Sequence, residues 1–309
     1  MRNHRGLRPH ASAAVAAAVA LSVLVAPTAA RAAFPGANGR IAFESGRTDE
    51  FDIYSAKPDG SDLRKLTGGI LEDHRPRWSA DGSRIVFFRK NFDGPGNVWA
   101  MDADGSNLTR LTTGPASEED PAWSPDGSRI VFWRSSPSHA ADLWIMDADG
   151  SHQHRLTFSP SADIAPSWSS TGVIAFTSLR TGNGDVYTIR PKGTGLTQVT
   201  HQAAPDMYPD WSPDAARLVF FTEGGGLTSN REVWKVFADG THLKRLTNNT
   251  VDDSYPSWSP AGGRITLQRD VREGGLDFYD VWTMKTDGTD MKRVTHDAFT
   301  DGVPNWQPK

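Results

Sequence analysis

Six carboxylates recur within one local phrase. Asp73, Glu118, Asp163, Asp206, Asp253 and Asp301 each stand three residues before a proline and five before a tryptophan. Gathered round a common axis, such hard oxygen donors would bind a cation such as calcium, or a basic segment of a partner. Neighbouring Glu72, Glu119, Asp120, Asp252 and Asp297 would deepen the negative potential. The same acids also have a structural reading: each ties down its own loop through backbone N–H groups or pairs with an arginine. Arg47, Arg89, Arg134, Arg180 and Arg269 are placed to do so. Left unpaired, the carboxylates would repel one another and titrate high. A third reading makes two of them the acid and base of a polysaccharide lyase or glycoside hydrolase.

Other candidate groups form weaker patterns. Asp102-x-Asp104-Gly105 and Asp147-x-Asp149-Gly150 resemble the start of a calcium loop. The equivalent turns Lys57-Pro58-Asp59-Gly60 and Arg190-Pro191-Lys192-Gly193 lack the first acid, and no distal glutamate follows, so a turn is expected there. His201 and His296 share a sequence context but fall two repeats apart, and His74 and His154 share no spacing with them, which argues against a three-histidine metal centre. No nucleophile with its base is recognisable, and no catalytic role or cofactor is expected.

The elements that must position these groups follow from a repeat. Trp78, Trp123, Trp168, Trp211, Trp258 and Trp306 end similar phrases at spacings of 45, 45, 43, 47 and 48. A period in the forties with hairpin punctuation indicates a β-propeller of four-stranded antiparallel blades, here six. In one unit, 120–124 reads as the innermost strand, 129–132 as the second, 142–146 as the third and 154–157 as the outer strand. Asp149-Gly150 supplies the positive φ of a tight hairpin. The ends complete the count. Residues 40–67 contain three strands without the tryptophan strand, and 303–307 contain that strand alone, so the two termini should share one blade.

Interval arithmetic separates scaffold from variation. The third-strand aromatic lies 13 residues before the Thr of a Leu/Val-Thr pair in all six units, and that Thr lies 11 before the tryptophan. The second-to-third-strand interval varies from 13 to 17, with the longest connections expected at 223–231 and 270–279. The variable loops and the acids fall on one side of the ring, the open face, where specificity is usually placed. Lys65, Arg110, Arg155, Arg245 and Arg293 sit on the outer strands, where edge cations block strand addition. Trp99, Trp144, Trp234 and Trp282, with Tyr54 and Tyr187, should pack between blades. Trp133 stands outside both aromatic ladders, at the end of a second strand.

Composition narrows the class. The 309 residues contain no cysteine, which removes disulfides, thiolate metal sites and a catalytic cysteine. Residues 1–32 combine Arg2, Arg5 and Arg8 with an Ala/Val/Leu run and Ala30-Arg31-Ala32. This reads as a secretory signal peptide cut after Ala32, the alternative being an uncleaved anchor. Its removal takes the net charge from −4 to −8, against nucleic-acid or anionic-membrane binding. No other stretch is apolar enough to span a bilayer.

The phrase D-x-x-P-x-W-S-P-D-G, then I-x-F, I/V-Y/W, D-G and L-T resembles the TolB-type, or WD40-like PD40, propeller repeat over essentially all of residues 38–308. The resemblance implies an all-β propeller domain over 33–309 and an interaction module rather than an enzyme. The α/β domain that precedes the propeller in TolB has no room between Ala33 and Gly39. The expected protein is secreted or held in the periplasm or cell envelope, is a monomer, and binds a protein or envelope component through its acidic open face.

Overall fold

The computed structural model describes residues 35–48, 50–91, 94–224, 230–273 and 276–309. The proposed signal segment, 1–32, lies outside the described residues. Six four-stranded antiparallel sheets make up a propeller. Blade 3 is typical, with strands Ser117–Trp123, Arg129–Ser136, His139–Asp147 and His154–Arg155 running from the axis outwards. Blade 1 takes its innermost strand, Asp301–Pro308, from the far end of the chain. It pairs antiparallel with Asn38–Ser45, followed by Asp52–Ala56 and Arg64–Lys65.

The core lies between blades rather than within them. Val86, Val98, Ala100 and Leu111 of blade 2 pack with Trp123, Ile130, Phe132 and Met146 of blade 3, and comparable clusters fill the other interfaces. The alternation of apolar and polar residues within each strand makes this possible, because each sheet buries one apolar face against each neighbour. Each repeat tryptophan is at least nine-tenths buried at such an interface. A buried aromatic of this size removes on the order of 200 Å² from water, worth about 5 kcal/mol before entropy is counted.

Glycine is required where blades touch at their turns. A Cβ on Gly150 would stand 2.3 Å from the Leu111 carbonyl oxygen of the preceding blade, and Gly150 has φ 88°. Gly105 and Gly288 meet Leu66 and Leu246 in the same way. The expected loop at 270–279 is instead a ribbon. Arg264–Glu273 and Leu276–Lys285 continue their ladder out to Glu273 and Leu276, since nothing in that run breaks antiparallel pairing.

Candidate functional site

Each innermost strand starts with, or close to, its recurrent acid and ends at or just past its tryptophan. The acid therefore lies toward the face of the variable loops, with the tryptophan toward the tight turns. Asp73, Glu118, Asp163, Asp206, Asp253 and Asp301 are all 2% exposed or less. They do not make a free ring of carboxylates. Arg89 bonds Asp73 at 2.5 and 2.7 Å, Arg269 bonds Asp253 at 2.6 and 2.7 Å, and Arg180 reaches Asp163 at 3.0 Å. Arg134 meets Glu118 at 2.5 Å, and Arg47 pairs with Asp301.

Two local solutions deliver the guanidinium. In blades 2, 3 and 6 an arginine follows the second-strand Ile by four residues; in blades 1 and 4 a serine stands there and the arginine comes two later. Each guanidinium also lies over its blade's third-strand aromatic, from 4.2 Å for Arg134 on Trp144 to 5.3 Å for Arg47 on Tyr54. The aromatic ladder is thus a platform for arginine as well as core.

Asp206 is the exception. Its partners include Thr222 at 2.6 Å and Gln202 at 2.8 Å, with no cation among the described residues, and burial pushes its carboxyl up to about 6. Burial likewise raises Asp301, to about 7, against the pull of Arg47.

A second set of acids escaped the sequence reading. Asp52, Asp142, Asp185, Glu232 and Asp280, with Asn97 in blade 2, stand in the third strands two residues before the ladder aromatic. The outer-strand cations fold back onto them: Lys65 to Asp52 at 2.8 Å, Arg155 to Asp142 at 2.5 Å, Arg245 to Glu232 at 2.7 Å and Arg293 to Asp280 at 2.5 Å. Arg110 donates to Asn97 at 2.7 Å. The Thr of each Leu/Val-Thr pair accepts the N–H of the residue that follows this third-strand position, as Thr157 does from Leu143 at 3.0 Å. The constant spacing of 13 was the available signal, because it registers this clamp.

The axis is closed by side chains in two layers. The residue two after each acid has a left-handed backbone: Arg75, Asp120, Ala165, Tyr208, Tyr255 and Val303 have φ between 47° and 56°. Such non-glycine conformations cost roughly 1–2 kcal/mol each and cluster at ligand-binding places. They coincide with a bulge in every inner strand. Three of the freed N–H groups are taken by the preceding blade: Arg75 N donates to Glu44, Tyr208 N to Thr177 and Val303 N to Gln268.

In the upper layer, Arg75 meets Asp120 at 2.8 Å, with its guanidinium 4.5 Å from the Tyr208 ring and 4.7 Å from the Tyr255 ring. Phe221 completes the aromatic group. Burial, foremost, holds the Tyr208 phenol well above its usual range. In the lower layer, Arg77 bridges the ring to Asp210 at 3.2 Å, and Asp210 also caps the Trp258 N–H. Beneath lies a cavity of about 50 Å³, lined by the six repeat tryptophans, with room for only a few water molecules.

The remaining candidates are accounted for locally. Asp104 and Asp149 accept the N–H of Ser106 and Ser151 as turn residues, as expected. Trp133 donates to Asp120 at 2.9 Å and packs on the core. His201, His296 and His154 are exposed, whereas His74 stacks between Phe51 and Phe88. Among the described residues, no group of three or more His, Cys, Asp or Glu side chains converges as a metal site, and no helix is long and apolar enough to cross a membrane.

Comparison with known proteins agrees with this architecture. TolB from Acinetobacter baumannii superposes with a TM-score of 0.76 at 21% identity, over 88% of this chain and 67% of that one. A putative TolB from Agrobacterium tumefaciens gives 0.68 at 20% identity, over 85% and 91%. Hydrazine synthase from Kuenenia stuttgartiensis gives 0.74 at 14% identity, over 89% of this chain and 47% of that one. These similarities concern the fold. Against curated protein sequences the chain has no significant match. The PD40 family, described as the TolB beta propeller domain, matches residues 21–139 and 115–309, and the chain belongs to it.

Proposed function

We propose that this propeller is a non-enzymatic binding module that works outside the cytoplasm as a monomer. It engages a protein or cell-envelope component through the loop face, with the closed channel mouth as contact centre. The observation that carries this reading is the Arg75–Tyr208–Tyr255–Asp120 cluster. Arginine and tyrosine are the residues that most often anchor protein interfaces, and here they stand partly exposed on strained backbone. Membership of the TolB propeller family supports a protein partner. The leader-like segment 1–32 supports export.

The carboxylates oppose a lyase or hydrolase reading. Five of the six inner acids are consumed by arginine, and the sixth, Asp206, is fully buried, out of a substrate's reach. The contact centre accordingly shifts from the acids themselves to the residues two places beyond them.

Affinity capture from the source cell's envelope tests the proposal. A protein retained by the wild type should fall at least tenfold with the paired variant Tyr208→Ala/Tyr255→Ala, and stay unchanged with the turn-face variant Asn107→Ala. Equal capture by both variants, or release of sugars from an acidic polysaccharide by the purified protein, would contradict it.

A further inference from the structure

Each blade interface is built on one plan: a third-strand acid, the Thr that follows it, the inner-strand acid of the next blade, and a cation for each side. Between blades 1 and 2, Lys65 serves Asp52 and Arg89 serves Asp73. Between blades 3 and 4, Arg155 serves Asp142 and Arg180 serves Asp163. Arg245 and Arg269 serve Glu232 and Asp253 at the next-but-one interface, and Arg293 and Arg47 serve Asp280 and Asp301 at the closure. Between blades 2 and 3 one acid is Asn97, yet both arginines are present.

The interface between blades 4 and 5 departs from the plan twice. The outer-strand cation is replaced by Gln198, which donates to Asp185 at 3.2 Å. The second-strand arginine is replaced by Thr222, with Gly224 where the later arginine would stand. Asp185 and Asp206 are nevertheless 2% and 0% exposed. Among the described residues neither has an arginine or lysine partner, and Asp185 Oδ1 and Asp206 Oδ2 have no hydrogen-bond partner. The Thr200 hydroxyl accepts the Val186 N–H at 2.9 Å and bonds Asp206, which also lies within reach of the Asp185 charge. The remaining neighbours are neutral donors: the Thr181 hydroxyl to Asp185 at 2.5 Å, and the Thr222 hydroxyl and Gln202 amide N–H to Asp206 at 2.6 and 2.8 Å.

Two buried carboxylates held only by neutral hydroxyl and amide donors lack the positive charge that burial demands. We propose that Asp185 and Asp206 bind a hard cation of the calcium class, which takes the place that two protein cations occupy at the other interfaces. Asp185 Oδ1 and Asp206 Oδ2, the two oxygens that no protein donor reaches, supply the anionic ligands calcium prefers, with water completing the shell.

The test uses the purified protein, dialysed against chelator, with calcium chloride as titrant. Calcium at a hundredfold its dissociation constant should raise the melting temperature by about 5 °C. Calorimetric titration should give a site of about 1 mM or tighter. Asp185→Asn and Asp206→Asn should each weaken it at least tenfold. Gln198→Arg, which restores the arginine that blades 2, 3, 5 and 6 carry, should abolish the calcium response while raising the melting temperature in chelator. Should the asparagine variants fail to fold, Gln198→Arg decides alone. A response that survives these variants, or a wild type unmoved by calcium up to 10 mM whose two acids merely share a proton, overturns the proposal.

Discussion

Asp253 and Asp206 occupy equivalent places in adjacent blades, and their surroundings differ by one guanidinium. Removing the charge should therefore have opposite effects. Asp253→Asn leaves the half-buried Arg269 without its partner and should cost about 3 kcal/mol in denaturant unfolding. Asp206→Asn removes an uncompensated buried charge. With its native carboxyl raised to about 6, above the ordinary value near 4, the folded state holds the proton more tightly than the unfolded chain. Its contribution is full below pH 4 and lost as pH rises through 6. In chelator, Asp206→Asn should thus stabilise the protein at pH 8 by up to about 3 kcal/mol, and change little at pH 4. Equal destabilisation at both pH values would refute this.

At the scale of strands and turns, Ser212-Pro213-Asp214-Ala215 is the clearest local defect. Ala215 has φ 55° where Gly82, Gly127, Gly172 and Gly262 stand in equivalent turns. Ala215→Gly should raise stability by about 0.5–1 kcal/mol, the left-handed strain exceeding glycine's entropy cost. Thermal melting checks it, and a lower melting temperature counts against it. The strand pattern was legible in sequence because a half-buried strand alternates and an Asp-Gly turn needs positive φ. The five arginine partners of the inner acids were legible too, since charge and position recur. The channel plug was not. Arg75, Asp120, Ala165, Tyr208, Tyr255 and Val303 share no chemistry, and only the bulge gives them one geometry. The third-strand acids were hidden for a different reason. Their partners are the outer-strand cations, whose position also suits edge protection.

For the whole molecule, closure is the element on which the remaining interfaces depend. Asp301–Pro308 gives blade 1 its innermost strand, and Val303 and Asn305 bond to blades 6 and 2. Deleting 303–309 opens two interfaces at once and should abolish the cooperative unfolding transition; an unchanged melting temperature would refute closure. With five of its six inner acids paired to arginine, the proposed partner binding falls to the loop face. Hydrogen–deuterium exchange of the protein, alone and with the partner recovered by capture, tests that most directly. Protection should fall on loop-face segments such as 68–72, 158–162 and 202–205 and on the inner-strand starts beside Arg75 and Tyr255. Protection confined to the Asp-Gly turns at 102–106 and 147–151, on the opposite side, would contradict the account.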